Sequence, residues 1–244
     1  PEIAEGIVQI HGVAREPGER AKIAVSTSDE RVDPVGACVG VKGSRVQTIV
    51  RELSGERIDI VPWIDEPQIF IERALSPANV SRVITDNRRK HAVVLVDEDQ
   101  LSLAIGKSGQ NSRLAVQLTG WGLDIITDSQ YQERRAKQEG IQQLLRKIPG
   151  VSELIALSLT TSGFDSIRSV SDATIELLRT VPGLEDEDAS RKIRTTAENF
   201  LAEHGPEVDK VDDPVGVKGN GSPENPDSRG KNAEDYSQSS DGLT

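Results

Sequence analysis

Methionine is absent from all 244 positions, including the first, and the chain starts at Pro1, so it is expected to be a fragment or a processed product of something longer. Cysteine occurs once, as Cys38, which rules out an internal disulfide and fits a reducing cytoplasm. The three histidines (His11, His91 and His204) are widely spaced and join no CxxC or HExxH pattern, so the sequence offers no metal site and no cofactor site. Aromatic residues make up only 3% of the chain, too few for a stacking platform of the kind that reads single strands through rings alone. No run approaches the roughly 18 apolar residues of a membrane span, and no basic-then-apolar signal segment opens the chain. Positive charge is also scarce: 29 Lys and Arg face 40 Asp and Glu, a formal net charge of -11. A chain this acidic lacks the broad field of a general polyanion binder, so any nucleic-acid contact has to be local and built from geometry.

What is present is a repeat. Residues 8–26 alternate apolar and polar side chains on either side of Glu16-Pro17-Gly18-Glu19, the pattern of a hairpin. Pro17 presets one turn angle and Gly18 tolerates a positive φ. A short helix follows from Asp33, a candidate N-cap, with Pro34 at its first position. Then come Gly40-Val41-Lys42-Gly43, a helix over 44–53 carrying Val46, Ile49, Val50 and Leu53 on one face, a stop at Gly55, and a strand through Trp63. The order returns downstream. A helix over 67–75 precedes two strands (79–86 and 91–98) joined by a turn at 87–90. A short helix then leads into Gly106-Lys107-Ser108-Gly109, a second helix, Gly120 and a last strand. The two GxxG loops lie 66 positions apart. Two copies suggest a tandem pair and not a solenoid, which needs three or more.

From about Gln130 the pattern changes. Ile148-Pro149-Gly150-Val151 and Val181-Pro182-Gly183-Leu184 are matching turns beside amphipathic segments, and Leu154, Leu157, Ile167, Leu177 and Leu178 are the expected core of a small helical domain. The turns resemble a helix-hairpin-helix pair, a fold that often grips DNA phosphates through backbone N–H groups. Here the second hairpin runs into Glu185-Asp186-Glu187-Asp188, whose charge opposes a phosphate, and Glu153 stands near the first. The domain is therefore read as a protein-interaction module, with duplex DNA disfavoured. Beyond Gly205 the composition turns to Gly, Pro, Ser, Asn and Asp with few large apolar residues, an acidic tail expected to be disordered.

A lone GxxG carries little information; the repeated helix-GxxG-helix setting carries more. Glycines at both ends remove two Cβ atoms, so a sugar-phosphate backbone can approach the main chain. The next helix presents unpaired N–H groups and its positive dipole end, and Lys42 and Lys107 sit inside the loops. This is the arrangement by which KH domains clamp about four nucleotides of single strand. The order strand-strand-helix-GxxG-helix-strand matches the type II KH topology. The strings DPVGACVGVKGSRVQTIVREL, ERIDIVPW and SLAIGKSGQNSRLA closely resemble the paired KH domains of the bacterial NusA family over roughly the first 128 positions.

That resemblance implies an α+β chain. Residues 1–65 and 66–129 would be two tandem type II KH domains, 130–204 a helix-hairpin-helix-like domain, and 205–244 the tail. It implies single-stranded nascent RNA, RNA polymerase and other transcription factors as partners, in elongation, termination and antitermination. The RNA contacts it implies are Gly40, Val41, Lys42, Gly43, Gly106, Lys107, Ser108 and Gly109, with Arg45, Gln110, Asn111 and Arg113 beside them. Ser112 departs from the apolar residue expected there, which puts the start of its helix in question. The family's amino-terminal polymerase-binding domain and S1 domain have no counterpart in these residues. With about three residues (64–66) between the KH units, the connection is too short for a flexible tether, and the units are expected to pack into one continuous RNA track.

Other features have plainer readings. Arg88-Arg89-Lys90 is read as a solvated hairpin tip, Trp63 and Trp121 as partly buried, and Cys38 as a small buried side chain. No catalytic dyad or P-loop is apparent, and neither GxxG extends to GxxxxGK[ST], so the chain is not expected to be an enzyme. Three rivals stay open on sequence: a DNA-repair protein using the helical domain, a subunit of an RNA-processing complex, and a pure protein scaffold.

Overall fold

The computed structural model describes residues 1–209. Residues 210–244, most of the expected disordered tail, lie outside the described residues. The first five residues assigned to that tail are built into the helical domain: Gly205 caps the preceding helix, 206–209 form a 3-10 turn, and the Asp209 carboxylate accepts from the N–H groups of Ile167 and Arg168.

The architecture is α+β, with two KH-type units followed by helices. In the first unit, β1 (Val8–Glu16) and β2 (Arg20–Thr27) form the antiparallel hairpin. Gly18, at φ +80°, makes the turn, and its N–H donates to the Glu56 carboxylate at 2.9 Å. The Arg15 guanidinium donates to the same carboxylate through two nitrogens, at 2.7 and 2.9 Å. These donors hold the Glu56 carboxyl below its usual range, the Arg15 hydrogen bond first. α1 (Pro34–Val39) starts where expected, with the Asp33 carboxylate accepting from the N–H groups of Val35 and Gly36. α2 (Ser44–Glu52) and β3 (Arg57–Pro62) complete the unit, β3 pairing parallel to β2. The second unit repeats this with α3 (Pro67–Ala74), β4 (Arg82–Asp86), β5 (His91–Val96), α4 (Glu98–Ile105), α5 (Gln110–Thr119) and β6 (Gly122–Thr127). α5 begins at Gln110 despite Ser112, whose hydroxyl donates back to the Gly109 carbonyl and serves the first turn.

Each sheet is mixed, three-stranded and ordered by sequence. Side chains alternate across a strand, so β2 and β3 of the first unit have two faces to cover. One meets α1 and α2. The other meets α5 and α3 of the second unit, where Ala24 and Val61 join a single core with Phe70, Ile71, Ala74, Leu75, Val94, Ala104 and Ala115. Gly12 on β1 leaves room there for Leu118, whose Cδ1 lies 3.6 Å from where a Cβ would stand. The two units therefore share one hydrophobic interior, and residues 64–66 connect bodies already in contact.

Lys22 stands in this interface, its side chain wholly buried, and donates to the Asp59 carboxylate at 3.1 Å and to the Ser76 carbonyl at 2.9 Å. Burial pushes its pKa down, against the pull of Asp59. Arg20 shares the same carboxylate.

The remaining helices are α6 (Asp128–Leu145), α7 (Glu153–Thr161), α8 (Ile167–Ser171), α9 (Ile175–Leu178) and α10 (Glu187–His204). Ile167 and Leu178 are fully buried in their core, as expected from sequence, but Leu154, Leu157 and Leu177 are 75%, 45% and 52% exposed. Ala156 and Leu159, three apart, share the inward face of α7, and helix geometry puts Leu154 and Leu157 on the opposite face. The core is instead filled by Leu144, Leu145, Ile148, Val170, Val181, Leu184 and Ala197.

Replacing Asp59 with Asn leaves the buried Lys22 ammonium with neutral oxygen acceptors only. Asp59→Asn is expected to destabilise the paired units by about 3 kcal/mol. Urea unfolding followed by tryptophan fluorescence checks this, because both tryptophans of the chain, Trp63 and Trp121, contact the shared core.

Candidate nucleic-acid interface

The two GxxG loops have the same backbone. Gly40 ends α1 at φ 74°, ψ 174°, and Gly106 ends α4 at φ 76°, ψ 171°. The third positions, Lys42 and Ser108, both take φ 51°, and the closing glycines, Gly43 and Gly109, are left-handed at φ 78° and 75°. A non-glycine residue in that region costs about 1–2 kcal/mol and persists only where its surroundings over-determine it.

Those surroundings are equivalent in the two units. A Cβ on Gly40 would stand 2.7 Å from Arg45 Cγ, and one on Gly106 would stand 2.8 Å from Asn111 Cβ. Arg45 and Asn111 occupy the same place in the repeat. Both reach back across the corner to the preceding helix: Arg45 Nη1 donates to the Ala37 carbonyl at 2.6 Å, and Asn111 Nδ2 to the Ala104 carbonyl at 3.1 Å. Asn111 also donates to the Leu75 carbonyl at 2.9 Å. Each loop is thus a strained turn held shut by a donor from the helix that follows it.

The residues singled out from sequence divide accordingly. Val41, 82% exposed, and the exposed Lys42, Lys107 and Ser108 stand at the loop crests, between glycines that leave the main chain accessible. Gln110 and Asn111 do not join them. The Gln110 carboxamide donates to the Glu16 and Glu19 carboxylates at 2.8 and 2.6 Å, and Asn111 is 1% exposed with its amide turned inward. Their side chains are engaged within the protein. Arg45 and Arg113 are half-exposed but already engaged, Arg45 with Glu2 and Arg113 with Glu16. Sequence reasoning missed Glu16 and Glu19 altogether. They lie more than ninety positions from their partners, and nothing local in the hairpin announces them.

Elsewhere, Arg88, Arg89 and Lys90 form an exposed tip organised by the Asp86 carboxylate, which accepts from the N–H groups of Arg88 and Arg89. The Lys90 ammonium sits 5.4 Å from the centre of the Trp121 ring, which is 5% exposed. Trp63 is half-buried beneath a stacked His11 ring, 3.9 Å between centroids. Burial pushes the Cys38 thiol up, away from a reactive thiolate. In the helical domain the Gly183 N–H is taken by the Glu185 carboxylate at 3.0 Å, and Asp186 caps α10 by accepting from Ala189. The N–H that a phosphate would need at the second hairpin is already occupied by a negative group.

Gly106→Ala combines a forbidden backbone angle with backbone overlap at Asn111 and is expected to cost about 3 kcal/mol or more. Gly18→Ala, where a Cβ meets nothing, should cost about 1 kcal/mol. Chemical denaturation of both variants measures the difference.

Residues 1–63 match the model of the NusA-like first KH domain and residues 67–133 that of the NusA-like second KH domain. Among curated proteins, a transcription termination/antitermination protein NusA from Rickettsia conorii is 39% identical over 222 residues, covering 89% of this chain and 44% of that protein. Its counterpart in Rickettsia prowazekii is 38% identical over the same length, with the same coverage. The protein of that name from Halalkalibacterium halodurans is 56% identical over 133 residues, 54% of this chain and 35% of its own length. The chain thus spans less than half the length of the relatives it matches. With both KH units matched in order, and each carrying the same strained GxxG turn, the chain belongs to the NusA family.

Proposed function

We propose that this chain is the single-stranded-RNA-binding part of a transcription elongation, termination and antitermination factor, and that it clamps nascent RNA through Gly40–Gly43 and Gly106–Gly109. The observation that carries the reading is the identity of the two loop backbones, each with an exposed lysine at its crest and a helix N-terminus behind it. Close approach of a phosphate to such a turn needs no wide positive field, which suits a chain of net charge -11. The mechanism is one of positioning: two weak clamps on one rigid body hold one strand in register, and coupling them raises affinity without any new contact. RNA polymerase and other transcription factors are the protein partners this reading implies, and the cytoplasm is its place.

The helical domain is assigned a protein-binding role within the same reading. Its second hairpin satisfies its own N–H with Glu185, which disfavours a DNA-repair function.

Binding of a labelled single-stranded RNA of about a dozen nucleotides, long enough for two clamps, tests the proposal. The parent chain is compared with a variant carrying Val41→Asp, Lys42→Asp, Lys107→Asp and Ser108→Asp, all at exposed crest positions where the fold is expected to survive. Four introduced carboxylates should abolish measurable binding while leaving the circular dichroism spectrum unchanged. Equal binding by both proteins would show that the loops are structural turns.

A further inference from the structure

The two loops differ in one respect. Arg113, on the first turn of α5, reaches the second loop directly: its Nη1 donates to the Ser108 carbonyl and lies 3.2 Å from where a Gly109 Cβ would stand. The other edge of the same guanidinium is held from the first KH unit, where the Glu16 carboxylate accepts from Nε at 3.1 Å and lies 3.0 Å from Nη2. Gln110 is held by Glu16 and Glu19 together. The equivalent position in the first unit, 66 residues earlier, is Gln47, which carries no charge. The first loop is therefore braced within its own unit and by Glu2, whereas the second is braced across the domain boundary.

We propose that Glu16 is a positioning residue for RNA binding at the second loop. It fixes the Arg113 guanidinium so that the left-handed Ser108 peptide, and with it the exposed crest of the second loop at Lys107 and Ser108, is held in the binding geometry. This rests on RNA binding by the loops as proposed above. A guanidinium presents a planar fork that can engage a carboxylate on one edge and a carbonyl on another, so both contacts form at once and each orients the other. Paired with Glu16, Arg113 contributes geometry to the loop more than charge.

The test is Glu16→Gln, which keeps the size of the side chain and removes the charge that orients Arg113. Affinity for the dozen-nucleotide single-stranded RNA is expected to fall about three- to fivefold, the range of a partly exposed ion pair. The loss should persist in a Lys42→Asp background, where the first loop is disabled. It should vanish in a Lys107→Asp, Ser108→Asp background, where the second is disabled. A purely structural role, loosening the contact between the units, would weaken only the coupling of the two loops, so the loss would disappear in both single-loop backgrounds, and that result would overturn the proposal. So would unchanged affinity, or a rise, which would mean that Glu16 competes with phosphate for Arg113. A parent chain that binds no RNA would sink the proposed function itself. The positioning claim would then be decided by amide exchange at Gly109, whose N–H donates to the Gly106 carbonyl at 3.1 Å. Faster exchange in the variant supports it, and an unchanged rate refutes it.

Discussion

The sheet of the first KH unit is covered by its own helices on only one face, and the rest of the architecture depends on how the other is closed. An apolar sheet face has to be buried against another layer. Here α3 and α5 of the second unit supply the missing layer, so that Ala24 and Val61 lie in one core with Ile71, Leu75 and Ala115. Burying side chains of this size contributes about 1.5–3 kcal/mol for each large residue. Even a buried ammonium, Lys22, is tolerated in the interface because Asp59 and the Ser76 carbonyl receive it. The two units are consequently one body, and the separation of their loops is set by packing and not by a linker.

Under the proposed function, a fixed separation would give the loops their value. Two clamps on a tether would each search for the strand independently; two clamps on one core present a single pre-set spacing, and the ordering entropy is met in folding. Each loop holds its shape by the same device, a donor at position 45 or 111 that closes the helix corner, although one is an arginine and the other an asparagine. The asparagine belongs to the unit that is buried against its neighbour, and the arginine to the unit whose α1 and α2 bury no residue completely. Each environment takes the side chain it can accommodate: a short neutral amide inside, a long cation at the surface.

Much of this was legible in the residues. The hairpin, the Asp33 cap, the two GxxG turns and the presence of a closing strand in each unit all follow from short-range signals whose physics is local. The candidate site was legible only in part. Val41, Lys42, Lys107 and Ser108 sit at exposed crests as their loop positions suggest, but Gln110 and Asn111 look identical in sequence to free helix-start polar residues. Only the fold reveals that one faces two carboxylates of the neighbouring unit and the other a cluster of carbonyls. The helical domain shows the same limit. Leu154, Leu157 and Leu177 read as core by composition, whereas α7 packs inward through Ala156 and Leu159 and so turns the first two outward. Local chemistry fixes where elements begin, and long-range packing decides which polar groups remain free.

The central claim is that both loops engage one strand as one rigid site. Titration of isotopically labelled chain with a single-stranded RNA of about a dozen nucleotides, followed by amide chemical shifts, tests it most directly. The account predicts that the amides of residues 40–43 and 106–109 move together along one saturation curve, while those at Gly150 and Gly183 stay in place. Two separate curves would contradict a single rigid site, and shifts confined to the helical domain would contradict the account altogether.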